Sequence, residues 1–232
     1  MRLVICSDIH GNQDAFSAFQ EDMARLRPDQ VIFLGDVFGY YYGQNEILTA
    51  LRRAGYHCLL GNHDKMFLDL LDGRIDLEDL CKRYGSGYRD ALQTVSRENV
   101  AFLRTLSPEL TMESDGLRLG FFHGSPEDPL CGRVYPDTVI EDPTPYAPFN
   151  YLFLGHTHHK MTRQIGHTTV INPGSLGQQR DGKGCSYVVF DSKDRSMSVE
   201  IVKFDPARLA EEAAVRDPDL PSLREVLYRK PR

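Results

Sequence analysis

The residues of this sequence best suited to chemistry are histidines that follow a short apolar stretch. Residues 151–154 are apolar, Gly155 follows, and His156 and His158 come next, two residues apart. The stretch predicts a buried strand, and open α/β sheets place their sites beyond the carboxyl ends of strands. Neutral imidazole is a common metal ligand. A single histidine here would indicate ordinary structure, but the pair predicts part of a metal site if other strand ends supply matching ligands.

Matching side chains do follow four other predicted strands: Asp8 and His10 after residues 2–7, Asp36 after 30–34, Asn62 and His63 after 56–60, and His123 after 117–122. Because Asp8 and His10 are two residues apart, an extended backbone would point both to one face. The set contains no thiolate, which suits Mn²⁺, Fe or Zn²⁺ better than a soft metal. Its aspartates and imidazoles exceed the needs of one ion with an open position, so we expect two cations that share a carboxylate.

The elements that must position these residues are those of an α/β protein. Two predicted parallel strands, 2–7 and 30–34, are joined by a helix with Asn12 as its N-cap. A second helix is predicted over residues 44–54, before the third strand. Hairpins are predicted at 109–122, around Asp115-Gly116, at 161–171 and at 185–202.

The chain has 232 residues, a length that suits a single domain with a small inserted region. We predict a helical insertion at about residues 65–106. The region 205–232 is predicted to form a C-terminal helix, at 207–215, followed from residue 217 by a weakly packed tail rich in proline and charge.

Composition predicts a soluble protein, with 41% hydrophobic and 26% charged residues. No apolar run approaches the roughly 18 residues that a membrane helix needs, and the sequence opens on a strand rather than a signal peptide. The five cysteines have no Cys-x-x-Cys spacing, which favours reduced thiols and a cytoplasmic location. The net charge of −6 argues against binding long nucleic acid.

The ordered motifs Asp-x-His, Gly-Asp, Gly-Asn-His-Asp, His-Gly and Gly-His-x-His occupy residues 8 to 158. This set resembles that of the calcineurin-like metallophosphoesterase superfamily, most of all its small single-domain bacterial and archaeal phosphodiesterase branch. Residues 172–175 also match a segment of that branch. The resemblance implies a four-layer α/β/β/α sandwich of the metallo-dependent phosphatase type. The sequence lacks the Asp-Arg-Gly motif of phosphoprotein phosphatases, which argues against a phosphoprotein substrate.

The same resemblance implies a role for each residue. It assigns two divalent metal ions, with manganese favoured and iron, zinc, nickel or magnesium as alternatives. His63 matches a histidine that is not a ligand but contacts the scissile phosphate and protonates the leaving oxygen. The implied ligands are Asp8, His10 and His158 for the first ion, Asn62, His123 and His156 for the second, and Asp36 as the bridge.

The predicted function is a metal-dependent phosphoric ester hydrolase, a phosphodiesterase or phosphatase acting on a small phosphate ester or a nucleotide-like substrate, with His63 as general acid. The alternative is a catalytically weak or inert scaffold that keeps the fold for protein contacts, and the intact motif set argues against it. Substrate contacts are predicted for Tyr40, Arg180 and Lys183, against the simpler interpretations of core packing and a solvated loop. Asp64 either orients a metal-binding histidine or caps a helix, and the sequence leaves both open.

Overall fold

The computed structural model describes residues 1–230 and contains two five-stranded β-sheets stacked face to face. Sheet A has the order β10-β9-β1-β2-β3, with β1 at Arg2–Cys6, β2 at Gln30–Phe33, β3 at His57–Cys58, β9 at Ser186–Asp191 and β10 at Ser196–Ile201. Its strands β1, β2 and β3 are parallel, and β9 pairs with β1 in the antiparallel sense. Sheet B has the order β4-β5-β6-β8-β7, with β4 at Glu109–Ser114, β5 at Leu117–Phe122, β6 at Tyr151–Leu154, β7 at Met161–Ile165 and β8 at Thr168–Asn172.

Strand β1 is buried on both faces. Leu3 and Ile5 belong to the core between the two sheets, whereas Val4 and Cys6 face the helices on the other side of sheet A. All four side chains are fully buried. Side chains alternate between the faces of a strand, so a strand covered on both faces reads as an uninterrupted apolar run.

The helices pack on the outer face of sheet A. The Asn12 side chain accepts a hydrogen bond from the Ala15 N–H, which confirms the predicted N-cap of the first helix. The helices of this region are α1 (Gln13–Leu26), α2 (Gln44–Ala54), α3 (Asn62–Leu71), α4 (Leu77–Tyr84), α5 (Gly87–Thr94) and α6 (Arg97–Leu103). Among residues 1–230, no helix combines the length and the apolar character needed to cross a bilayer.

The outer face of sheet B is covered by the segment 124–150, which forms turns rather than a helix. Val134, Tyr146 and Phe149 from this segment pack against the outward side chains of sheet B. The predicted α/β class is confirmed, with two stacked sheets and helices packed on the outer face of sheet A, while irregular chain forms the layer on sheet B. The three predicted hairpins also form. The third strand is shorter than predicted, since only His57 and Cys58 join the ladder.

The prediction that residues 217–232 pack weakly is wrong for the described part of this segment. After α7 (Ala207–Arg216), a short helix α8 (Ser222–Glu225) and a 3₁₀ turn (Val226–Tyr228) bury Leu223 and Val226. The Tyr41 hydroxyl donates a hydrogen bond to the Leu223 carbonyl at 2.8 Å. The charges and prolines suggested solvated chain, but the segment covers the rings of Tyr41 and Tyr42. Residues 231 and 232 lie outside the described part.

Asp217 anchors this C-terminal segment, and its carboxylate is only 8% exposed. It accepts hydrogen bonds from the Ser86 N–H at 2.7 Å, the Ser86 hydroxyl at 2.9 Å and the Tyr42 hydroxyl at 2.7 Å. Asp217→Ala leaves these donors without a partner, so we expect it to lower the free energy of unfolding by about 2–3 kcal/mol in urea titrations. Asp219→Ala, at an exposed position, is the matched control and should change stability by less than about 0.5 kcal/mol. Equal values for the two variants would contradict the anchoring role.

Candidate metal centre

The candidate site lies where the loops after β1, β2, β3, β5 and β6 meet at one edge of the stacked sheets. The structure brings together all eight residues that the sequence assigned to the metals and the general acid, and every one of them is buried. They are Asp8, His10, Asp36, Asn62, His63, His123, His156 and His158.

The backbone at these residues is not extended. Asp8 has φ 57° and His10 has φ 51°, both in the left-handed region. The prediction that an extended chain aligns the two side chains is therefore wrong, although both reach the site. Hydrogen bonds from the Asp8 N–H to Gly35 O (2.9 Å) and from the His10 N–H to Asp36 O (3.0 Å) hold this turn. Left-handed geometry costs a non-glycine residue about 1–2 kcal/mol, and such strain concentrates at functional sites.

The first group of donors consists of Asp8, His10 and His158. The His158 Nε2 lies 3.2 Å from Asp8 Oδ1 and 3.0 Å from the His10 Nε2. Each of the two rings presents its Nδ1 to a backbone carbonyl, of Phe38 and Gln178 respectively, at 2.6 Å. These contacts assign the protons to Nδ1, so two Nε2 lone pairs face each other. Such an arrangement suits a cation between them.

The carboxylate of Asp8 also indicates a cation at this position. Among residues 1–230, its Oδ1 atom is buried and has no hydrogen-bond donor. A buried carboxylate oxygen without a partner is costly. The first group therefore fits a divalent cation, which would satisfy this oxygen and both imidazoles together.

The second group of donors consists of Asp36, His123 and His156, with Asn62 beside them. The His123 Nε2 lies 3.5 Å from Asp36 Oδ2 and 3.0 Å from Asn62 Oδ1, while its Nδ1 lies 2.9 Å from the Leu34 carbonyl. Asp36 Oδ2 is also 3.8 Å from the His10 Nε2 of the first group. Asp36 thus stands between the two groups, at the place where a shared ligand is needed.

Burial sets the protonation of these side chains. It lowers the pKa of His10 and His158, and that of His156 to about 3, so these three imidazoles are neutral at pH 7. Burial and the carboxylates of Asp8 and Asp64 raise the pKa of Asp36. The raised pKa of Asp36 shows carboxylates crowded without a counter-charge, and a divalent cation would supply that charge and favour the ionised form.

His63 lies in the first turn of α3, with its ring centroid 4.9 Å from that of His10. Its backbone N–H donates to Asp36 Oδ1 at 2.8 Å. Its Nδ1 lies 2.8 Å from the hydroxyl of Tyr88, which is fully buried on α5. The Tyr88 hydroxyl is also 3.2 Å from the His63 carbonyl, to which it can donate while accepting from Nδ1–H. Tyr88 therefore holds the ring so that Nε2 is left for substrate.

Sequence reasoning missed Tyr88 because nothing in a helical stretch marks one tyrosine as a partner of a distant histidine. We expect Tyr88→Phe to lower kcat for an alkyl phosphodiester about tenfold, the value of one hydrogen bond to a charged ring. Tyr187→Phe is the matched control, since that hydroxyl donates to Asp22. Steady-state kinetics with alkyl and nitrophenyl esters checks this, because a positioning role predicts a smaller loss for the good leaving group. Equal losses for both esters would contradict it.

The structure settles the interpretation of Asp64. Its carboxylate accepts from the N–H groups of Asp36, Val37 and Phe38 at 2.8–3.1 Å, and from the Gly61 N–H at 2.9 Å. It therefore caps α3 and ties that helix to the loop that carries Asp36, and it does not orient a histidine. Gly61 is required because a Cβ there would lie 2.0 Å from Asp36 Oδ1.

The segment 172–175 supports the metal-site loops from below. The Asn172 amide donates to the Gly155 carbonyl at 2.7 Å and to the Thr157 hydroxyl at 3.1 Å. The Ser175 hydroxyl donates to the Asp8 carbonyl at 2.7 Å. These bonds fix the turns that present His156, His158 and Asp8.

A cavity of about 310 Å³ opens over the two donor groups. Of the predicted substrate contacts, Tyr40 and Arg180 line it, and the Arg180 Nη2 donates to the Tyr40 hydroxyl at 2.8 Å. Lys183 does not line it and lies exposed beside a neighbouring groove. Sequence reasoning also missed Arg133, whose Nε donates to His156 Nε2 at 3.0 Å. Arg133 comes from the irregular segment 124–150, where no motif marks it.

Known proteins share both the sequence pattern and the fold of this chain. Residues 1–195 match the calcineurin-like phosphoesterase superfamily domain. The chain is 29% identical over 224 residues to an uncharacterized protein of Methanocaldococcus jannaschii, covering 88% of each protein. A solved metallophosphoesterase from Sphaerobacter thermophilus has a TM-score of 0.76 at 24% identity, over 97% of this chain and 99% of that one. A hypothetical protein from Pyrococcus horikoshii has a TM-score of 0.78 at 17% identity, over 98% of both. At these identities the two structures show a shared fold.

Proposed function

We propose, because the chain belongs to the calcineurin-like phosphoesterase superfamily, that it hydrolyses phosphodiester bonds in small molecules and depends on two divalent cations, with manganese favoured. The observation that carries the proposal is the pair of buried donor groups that meet at Asp36. A histidine cluster with a purely structural role would not leave Nε2 lone pairs facing each other and a buried carboxylate oxygen without a donor.

In this proposal Asp8, His10 and His158 would hold one cation, Asn62, His123 and His156 would hold the other, and Asp36 would be shared between them. The bound pair supplies positive charge against the phosphate oxygens and lowers the pKa of water toward neutrality. The protein donors include only two carboxylates, so two divalent cations would leave the set of metal ligands near +2 and favourable to an anionic ester.

The side chains of the pocket have separate tasks. Arg133 and Arg180 are placed to contact phosphate oxygens that the donor groups do not reach, since both line the cavity. His63 lines the cavity, and once a bound phosphate anion raises its pKa the ring can protonate at Nε2 and give that proton to the leaving oxygen. Tyr40, Tyr84 and Met66 form an apolar wall that suits the organic part of an ester.

Metal removal tests the proposal. We expect the purified chain to contain two divalent ions by elemental mass spectrometry and to hydrolyse bis(p-nitrophenyl) phosphate. Dialysis against a chelator should reduce turnover to the uncatalysed rate, and added Mn²⁺ should restore it, because no residue of the pocket replaces the cations' charge. Turnover that survives complete metal removal would contradict the proposal. A chain that binds two ions and hydrolyses no phosphate ester would instead favour the inert scaffold.

A further inference from the structure

A second cavity, of about 480 Å³, lies beside the metal pocket and shares Arg180 with it. Its charged lining is five cations and one carboxylate. We call it the basic groove and define it by Lys160, Arg180, Lys183, Arg229, Lys230 and Asp181. A groove that adjoins a phosphoesterase pocket through a shared arginine can hold a part of the substrate that extends beyond the scissile bond.

The positive charge of the basic groove is largely uncompensated. Lys160 pairs with Asp181 at 3.1 Å. Within residues 1–230, the other four cations have no carboxylate oxygen within 4 Å. This local excess of positive charge occurs in a chain whose net charge is −6. Clefts lined by charge of one sign attract ligands of the opposite sign, so the groove is suited to an anion.

The walls of the groove are fixed to each other. Gln179, only 4% exposed, donates from Nε2 to the carbonyls of Val226 (3.0 Å) and Arg229 (3.1 Å) and accepts at Oε1 from the Gly182 N–H (2.6 Å). The Arg229 Nη1 donates to the Arg180 carbonyl at 3.2 Å. The C-terminal segment and the loop that carries Arg180 therefore form one unit. Arg229 and Lys230 lie beyond the residues that match the superfamily domain.

We propose that the basic groove binds a second phosphate group of the substrate, so that the substrate is a small phosphodiester that also carries a phosphate monoester. The inference rests on the proposed function of the metal pocket. A phosphate dianion can contact two or more cations, and each charge-assisted contact adds about tenfold or more to affinity. A long nucleic acid would need a basic surface that continues past the groove, whereas the remainder of the chain is acidic.

Two probes that differ only in the second phosphate test this. They are thymidine 5′-(p-nitrophenyl phosphate) and its 3′-phosphorylated form, which have the same scissile bond and leaving group. We expect the manganese-loaded chain to hydrolyse the 3′-phosphorylated form with a kcat/KM at least tenfold higher, mainly through KM. In the double variant Lys183→Ala/Lys230→Ala, the ratio of the two kcat/KM values should fall to near one. Lys193→Ala, an exposed lysine outside the groove, is the control and should keep the wild-type ratio.

Binding of the two hydrolysis products, thymidine 3′,5′-bisphosphate and thymidine 5′-phosphate, tests the groove independently of catalysis. Calorimetry with the manganese-loaded chain should show thymidine 3′,5′-bisphosphate binding at least tenfold more tightly than thymidine 5′-phosphate, with the advantage lost in the double variant. Equal affinities, or an advantage that survives in the double variant, would overturn the groove proposal while leaving the hydrolase proposal intact. Tighter bisphosphate binding without hydrolysis of either diester would support the groove and overturn the hydrolase.

Discussion

Replacing His63 by alanine is expected to lower kcat for alkyl phosphodiesters by about 10²–10⁴ and to leave the metal content near normal. His63 lies close enough to His10 and Asp36 to form a third possible donor group, but the proposal assigns it to neither cation, and its ring centroid stands 4.9 Å from that of His10. Its loss therefore removes a proton source rather than a ligand. Metal analysis and steady-state kinetics on the same preparation check both parts of this prediction.

His63 can act as a general acid only when its ring is protonated, and the bound substrate provides the conditions for this. Burial is the largest cause that lowers the pKa of His63, and the positive charge of Arg180 lowers it further. The ring is therefore neutral in the free pocket. An arriving phosphate anion acts in the opposite direction and raises this pKa. The Tyr88 hydroxyl can accept from Nδ1–H and so stabilises the protonated ring.

The dependence on the leaving group distinguishes a general acid from a binding residue. A nitrophenolate departs without a proton, so His63→Ala should affect nitrophenyl esters far less than alkyl esters. An equal loss for both, or a loss of metal with the activity, would contradict the assignment. Tyr187→Phe, which removes a hydroxyl far from the pocket, controls for a general loss of stability.

Asp36→Asn is expected to lower the occupancy of both cations together. The Asp36 Oδ2 lies 3.8 Å from the His10 Nε2 and 3.5 Å from the His123 Nε2, so the carboxylate reaches both donor groups. The amide keeps the shape but removes the negative charge. We expect the affinity for both cations to fall by more than about 10²-fold, beyond the 10–100-fold typical of residues that only support a ligand.

Asp8→Asn provides the comparison, because Asp8 belongs to the first donor group alone. It should weaken one cation and spare the other, which titration with Mn²⁺ followed by elemental analysis resolves. Loss of a single cation in Asp36→Asn would rule out the shared position. Circular dichroism of both variants shows whether the fold is kept.

The donor residues were predictable because each follows an apolar stretch, and these stretches end at the same edge of the two stacked sheets. His123 and His156 illustrate this: β5 and β6 are parallel neighbours, so the residues after them meet. The helix cap at Asn12 and the turn at Asp115-Gly116 were predictable from local chemistry alone. In these cases the physical cause lies within a few residues of its effect.

The features that sequence reasoning missed depend on contacts between distant parts of the chain. The left-handed turn at Asp8 is held by Gly35, and Tyr88 meets His63 only after α3 and α5 pack. Arg133 reaches His156 from an irregular segment whose path no periodicity describes. The C-terminal segment looked solvated because its carboxylate at Asp217 and its buried partners are far apart in sequence.

The contacts of Gln179 with the C-terminal segment have a consequence for how proteins of this type diversify. The proposed metal ligands and His63 all lie before residue 160, whereas Arg229 and Lys230 follow the 3₁₀ turn at Val226–Tyr228. If the groove binds substrate as proposed, relatives that differ only in this C-terminal piece would keep the same metal ligands and accept different molecules. A fusion partner or affinity tag joined at this end is therefore expected to affect the groove before it affects the metal ligands.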